Sequence, residues 1–150
     1  KQIASGALPI ISREAFLASL DDTGREVFQT ILAYAAEEAL PIHWGSKGFS
    51  LNVDKHGMHV SICFGYPPHS VYKQSLYTAL VGRGGLLSKL TIPEEQITQL
   101  WQKAESTGLF QRAGKELKCL LDKEFSHEQI KVILAWLKDV VAMVQQYEAK

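Results

Sequence analysis

Cysteine is scarce: Cys63 and Cys119 are the only two in 150 residues. A chain of this length can bury about 70% of the surface its unfolded form exposes, so its core needs no disulfide or metal. Two cysteines inside apolar runs ("SICF", "LKCLL") read as small hydrophobes in a reduced, cytoplasmic protein. Long apolar runs are absent too. None approaches the roughly 20 residues of a membrane span, and "KQIASGALPI" lacks the apolar stretch of a secretory signal. No membrane partner is expected. Net charge is also missing, with 16 basic and 16 acidic residues. Neither "WGSKG" nor "GRGG" fits a nucleotide-binding glycine motif, and no G-x-S-x-G elbow occurs.

What remains has an ordinary globular composition, 46% apolar and 21% charged. The chain begins at Lys1 rather than Met, which suggests one domain of a larger, bacterial-type protein. We expect residues 1–11 to be a linker or flexible start and 12–150 a single α+β domain. Helical spacing predicts a short helix over Arg13–Leu20 capped by Ser12. A second carries Val27, Phe28, Ile31, Ala35 and Ala39, with Asp22 as cap and Pro41 as stop. A third is expected over 92–107, with Thr91 and Glu94 in capping-box register and Gly108 closing it. A fourth opens with Ser126 and Gln129 in the same register and carries a stripe from Ile130 to Val144. "GKELKCLLDKEF" alternates like a strand, and residues 71–81 fit either a helix or a strand. The expected fold is a small antiparallel sheet built on a central hairpin, with helices packed on one face.

The hairpin lies in "HWGSKGFSLNVDKHGMHVSICFGYPPHS", which holds four of the five histidines. Parity sets its register. A two-residue loop at His56–Gly57 pairs Val53 with Val60, Leu51 with Ile62 and Phe49 with Phe64, giving one continuous apolar face. Gly57 suits the positive φ of such a turn. The other face then carries Asp54–His59, Asn52–Ser61 and Ser50–Cys63.

Three chemistries can be weighed on that outer face. A metal site is disfavoured, because His59 and Cys63 lie roughly 13 Å apart along a strand at about 3.3 Å per residue. Neither a metal nor any other cofactor is expected. Asp54 opposite His59 could form an oriented base, with Ser61 or Cys63 as nucleophile, in a small hydrolase- or transferase-like enzyme. The simpler reading is a cross-strand ion pair.

Charge segregation says more. Residues 44–90 and 108–118 hold eight basic residues against Asp54 and Glu116, whereas the first 43 residues hold six acidic against three basic. Lys47, Lys73, Arg83, Arg112, Lys115 and Lys118 alternate with aromatics such as Trp44, Tyr66, Tyr72 and Tyr77, as a phosphate-tracking, base-stacking surface requires. The leading expectation is a non-catalytic module that binds nucleic acid or another polyanion through the six cations, Trp44 and Tyr66. A homo-oligomeric or protein-interaction domain is the third reading.

Overall fold

The computed structural model describes residues 9–150, and the expected start at 1–11 falls largely outside them. Two helices lead. Ser12 caps α1 (Arg13–Ser19) by accepting from the Ala15 amide. Asp21, one residue before the predicted cap, accepts from Gly24 and opens α2 (Asp22–Glu37). The latter stops before Ala39, which takes a left-handed φ of 55° and stands exposed instead of extending the apolar stripe.

Next come β1 (Ile42–Trp44), β2 (Phe49–Lys55), β3 (Met58–Tyr66) and β4 (Ser75–Thr78), then a one-turn helix α3 (Leu86–Lys89) and α4 (Glu94–Ser106). The ambiguous 71–81 stretch is therefore a strand in its centre. The chain closes with β5 (Gln111–Ala113), β6 (Glu116–Leu120) and α5 (His127–Gln146). The six strands form one antiparallel sheet in the order β1-β2-β3-β4-β6-β5. Helices cover one of its faces.

The capping boxes have opposite outcomes. Ser126 and Gln129 satisfy each other's backbone amides at the start of α5. Thr91 does not cap α4. Its amide and hydroxyl both donate to the Glu148 carbonyl, tying the chain's end to the loop, and Pro93 occupies the cap position without a side-chain bond. A long-range contact took the side chain that local spacing had assigned to the helix.

In the sheet, cross-strand rows alternate between faces. The row Trp44, Phe49, Gly65, Leu76 and Cys119 faces the helices. Phe16 and Phe28 pack edge-on against Phe49, with ring centroids 5.3 and 5.7 Å away. Gly65 makes room for them, since a Cβ there would lie 2.3 Å from the Phe49 ring and 2.8 Å from Phe28. Ile130, Ile133, Trp136, Leu137, Val140, Val141 and Val144 complete the core from α5. Trp136 meets its one polar need by donating to the Leu100 carbonyl at 2.9 Å.

Candidate functional site

Hairpin geometry decides what the helix-free face presents. His56 and Gly57 both take positive φ, 55° and 87°, forming the expected two-residue turn. Lys55 then pairs with Met58, Asp54 with His59, Val53 with Val60 and Asn52 with Ser61. Beyond Asn52 the predicted register fails. A bulge puts one extra residue into β3, so that Leu51 pairs with Cys63, Ser50 with Phe64 and Phe49 with Gly65. Ile62 and Cys63 are both fully buried as a result. Phe64 crosses from the expected core face to the outer one.

One row now spans the whole sheet on that outer face: His43, Ser50, Phe64, Tyr77, Lys118 and Gln111. No carboxylate interrupts it. Tyr66 lies in the neighbouring row, beside Ser75 and Leu120. The β3–β4 loop folds back to stack Tyr72 on Tyr66, centroids 4.3 Å apart, and Tyr77 meets both rings edge-on. Burial, followed by the adjacent Tyr72 and Tyr77 hydroxyls, pushes the Tyr66 hydroxyl up to about 12. It therefore stays protonated as a donor at neutral pH. Lys47, in the β1–β2 turn, brings its Nζ to 5.6 Å from the Tyr72 ring centroid. A shallow cavity of about 300 Å³ lies between that turn and Phe64, with His43, Lys47, Ser50 and Tyr66 also in its lining.

The polar residues on this face hold one another. Asn52, 1% exposed, donates to the Pro41 and Ser50 carbonyls and to the Ser50 hydroxyl, and its Oδ1 accepts from Ser61 at 2.8 Å. His59 is bonded to His43, with 2.8 Å between Nδ1 and Nε2. The two imidazoles lie 16 residues apart in the sequence. Strand β1, not foreseen as a strand, brings them together by pairing with β2. In such a contact one ring donates an N–H and the other accepts through its lone pair.

The acid–base arrangement considered for Asp54 and His59 takes a different form. Although the two are register partners, the Asp54 carboxylate accepts from the Gly57 amide at 2.8 Å and closes the turn. Ser61 donates to Asn52 rather than to an imidazole. Burial drives the Cys63 thiol far up from its ordinary range, which removes it as a nucleophile at neutral pH. No group of three His, Cys, Asp or Glu side chains placed to hold a metal occurs among the described residues.

The six cations singled out in the sequence divide between two sides. Lys118 lies in the outer row next to Tyr77, Lys47 borders the tyrosine cluster, and Lys73, exposed with φ 60°, follows Tyr72 in the same loop. Arg83, also exposed, stands in the loop whose Gly84 carbonyl accepts from the Ser61 amide. Arg112 belongs elsewhere. It is paired with buried Leu117 in the ladder and lies over the Trp101 ring at 4.4 Å, held by Glu105 at 2.9 Å. Lys115, in the β5–β6 turn, lines a separate cleft beside α4. Trp44 packs against Phe16 and Phe49 on the helix side of the sheet and, half-buried, also lines the shallow cavity beside Phe64. Phe64 is the aromatic that sequence reasoning left out, because only the bulge turns it outward.

Compared with protein-family models, with curated proteins and with solved structures, the chain gives no match. Among the described residues no helix is long and apolar enough to cross a membrane.

Proposed function

We propose that this protein is a non-catalytic binding module whose helix-free sheet face holds an anionic, phosphate-bearing partner, with single-stranded nucleic acid as the favoured class. One observation carries the reading. A carboxylate-free row of polar and aromatic side chains crosses all six strands, with Lys47, Lys73 and Lys118 around the tyrosine cluster. Aromatic faces accept bases with little sequence preference, and nearby ammonium groups follow the backbone phosphates. Phe64 takes the stacking role first given to Trp44. Lys47, Lys73, Lys118 and Arg83 supply charge, and Arg112 and Lys115 take no part. The two unbridged cysteines suit a reducing compartment, and we place the protein in the cytoplasm on that ground.

Titrating labelled single- and double-stranded oligonucleotides at several salt concentrations tests the proposal. Single strands should bind, and affinity should fall as salt rises because neutralised phosphates release counterions. Lys47→Gln and Lys118→Gln should each flatten the slope of log affinity against log salt by about one unit. Arg112→Gln should leave it unchanged. Phe64→Ala should remove a salt-insensitive contribution of about 1–3 kcal/mol per stacked base. No binding tighter than about 10⁻⁴ M at low salt would overturn the reading.

A further inference from the structure

The ring nitrogens of His43 on β1 and His59 on β3 have no part in the proposed polyanion contact. The rings reach each other from two strands, with centroids 4.7 Å and planes 36° apart, and His59 Nδ1 lies 2.8 Å from His43 Nε2. His43 is exposed and His59 half-buried, so the pair is open to solvent. Their register partners are engaged elsewhere, since Ser50 accepts from Asn52 and Asp54 from the Gly57 amide. Among the described residues the one histidine in an ion pair is His127, held by Glu26. His43 and His59 therefore have only each other.

Two imidazole nitrogens this close make a hydrogen bond, or they occupy neighbouring corners around a metal ion. Moving the shared proton to the donor ring's outer nitrogen turns the first arrangement into the second. Both nitrogens then present lone pairs and both rings stay neutral. Spacing selects the ion. Nitrogens bound at about 2.0–2.1 Å lie about 2.8–3.0 Å apart when they subtend about 90° at the metal, and about 3.3–3.4 Å apart at the tetrahedral angle. The observed 2.8 Å matches the narrower arrangement. Imidazole ligands at such an angle suit copper(II) or nickel(II), whereas magnesium and calcium demand oxygen. Both cysteines, the ligands a softer ion would seek, are buried.

We propose that His43 and His59 form a two-imidazole site for a divalent transition-metal ion that prefers tetragonal geometry, nickel(II) or copper(II), with its other positions left to water. Weighing His59 with Cys63 along one strand argued against a metal; the fold supplies His43 as the partner instead. The site stands whether or not the outer face binds a polyanion.

Isothermal titration calorimetry of the full, untagged chain with nickel chloride tests it. Nickel should bind saturably at one ion per chain. His43→Ala and His59→Ala should each weaken binding at least about tenfold, because losing a ligand costs no less than losing the outer-shell partner of one. His43→Gln, which keeps a polar side chain on β1, should weaken it as much, and circular dichroism should show all three variants folded. His56→Ala and His127→Ala should leave binding unchanged. Zinc should bind more weakly than nickel, and magnesium should not bind. No saturable binding at millimolar nickel overturns the proposal. Nickel binding that survives substitution of either His43 or His59 overturns it too, as does zinc binding tighter than nickel.

Discussion

Glu116 opens β6, and its carboxylate organises the segment that follows β4. Oε1 accepts from the Thr78 hydroxyl at 2.7 Å and the Leu80 amide at 2.8 Å, while Oε2 accepts from the Val81 and Gly82 amides at 2.9 and 2.6 Å. Three successive backbone amides converge on one side chain, the geometry by which turns bind anions. The Thr78 hydroxyl in turn accepts from the Leu117 amide at 2.9 Å, completing a link from β6 to β4 and back. Glu116→Ala removes the acceptor at the centre. The Gly82 amide is exposed and Val81 half-buried, so both can recover water. Thr78 and Leu80 are 1% and 0% exposed and cannot. Each buried donor left without a partner costs about 1–3 kcal/mol, so two give about 2–4 kcal/mol after some local relaxation. Glu116→Gln keeps one acceptor for the buried pair and turns its amide toward the exposed one, for about half that loss. Glu105→Ala is the control. Its ion pair with Arg112 joins side chains 32% and 67% exposed, and surface pairs of this kind contribute at most about 1 kcal/mol. Urea denaturation with a constant m-value should show the largest loss for Glu116→Ala, a smaller one for Glu116→Gln and the smallest for Glu105→Ala. A Glu116→Ala protein within about 0.5 kcal/mol of the parent would refute the reasoning, because it would mean the amides are satisfied some other way.

Other perturbations test the core and the bulge. Val60→Ala and Ile62→Ala, both at 0% exposed sites, should each lose about 2–4 kcal/mol in the same denaturation assay; His59→Ala, on the outer face, should lose far less. A thiol reagent should find no reactive cysteine in the folded protein and two after unfolding. Burial pushes the Cys119 thiol up to about 12 and Cys63 further still, so raising the pH to 9 should expose neither; one fast-reacting equivalent would contradict the burial of both. Gly65→Ala should reduce the yield of folded protein or cost more than about 1–3 kcal/mol, since its Cβ would meet Phe49 and Phe28 with no free volume to take up the strain.

Local signals were legible wherever one side chain decided the outcome. The caps at Ser12 and Ser126, the His56–Gly57 turn and the α5 stripe all rest on contacts three or four residues apart. Thr91 shows the limit, because its partner is the Glu148 carbonyl near the other end of the chain. The three-residue strands β1 and β5 carry too few positions for a period-2 pattern, so pairing alone defines them. That is why the His43–His59 contact and the separation of Arg112 from the other cations could not be read from spacing. Charge counting placed basic residues in the right segments but could not assign them to a face, since that depends on strand parity and on side-chain partners such as Glu105.

The bulge links fold to proposed function. With uninterrupted alternation, Cys63 would face outward beside Ser50 and Phe64 would join the core. The outer row would then run from histidine through serine and a thiol to tyrosine. One added residue in β3 reverses both positions. Cys63 enters the core at 0% exposure, and Phe64 takes its place between Ser50 and Tyr77. Gly65 follows, and its missing side chain is what lets Phe49 and Phe28 fill the space that Phe64 vacates on the helix side. Burying a thiol and exposing a phenyl ring forfeits apolar burial, which at about 25 cal/mol per Å² favours the opposite arrangement. A bulge that turns an aromatic side chain toward solvent next to lysine and tyrosine is the kind of local irregularity that re-aims a side chain at a working surface. Phe64 is therefore the outer-face position where binding should respond to substitution and stability should not. Phe64→Ser should leave folding nearly unchanged, and it should weaken stacking of a single strand by the same amount at every salt concentration. Equal loss of stability and binding would instead make Phe64 a packing residue and leave the face to Lys47 and Lys118 alone.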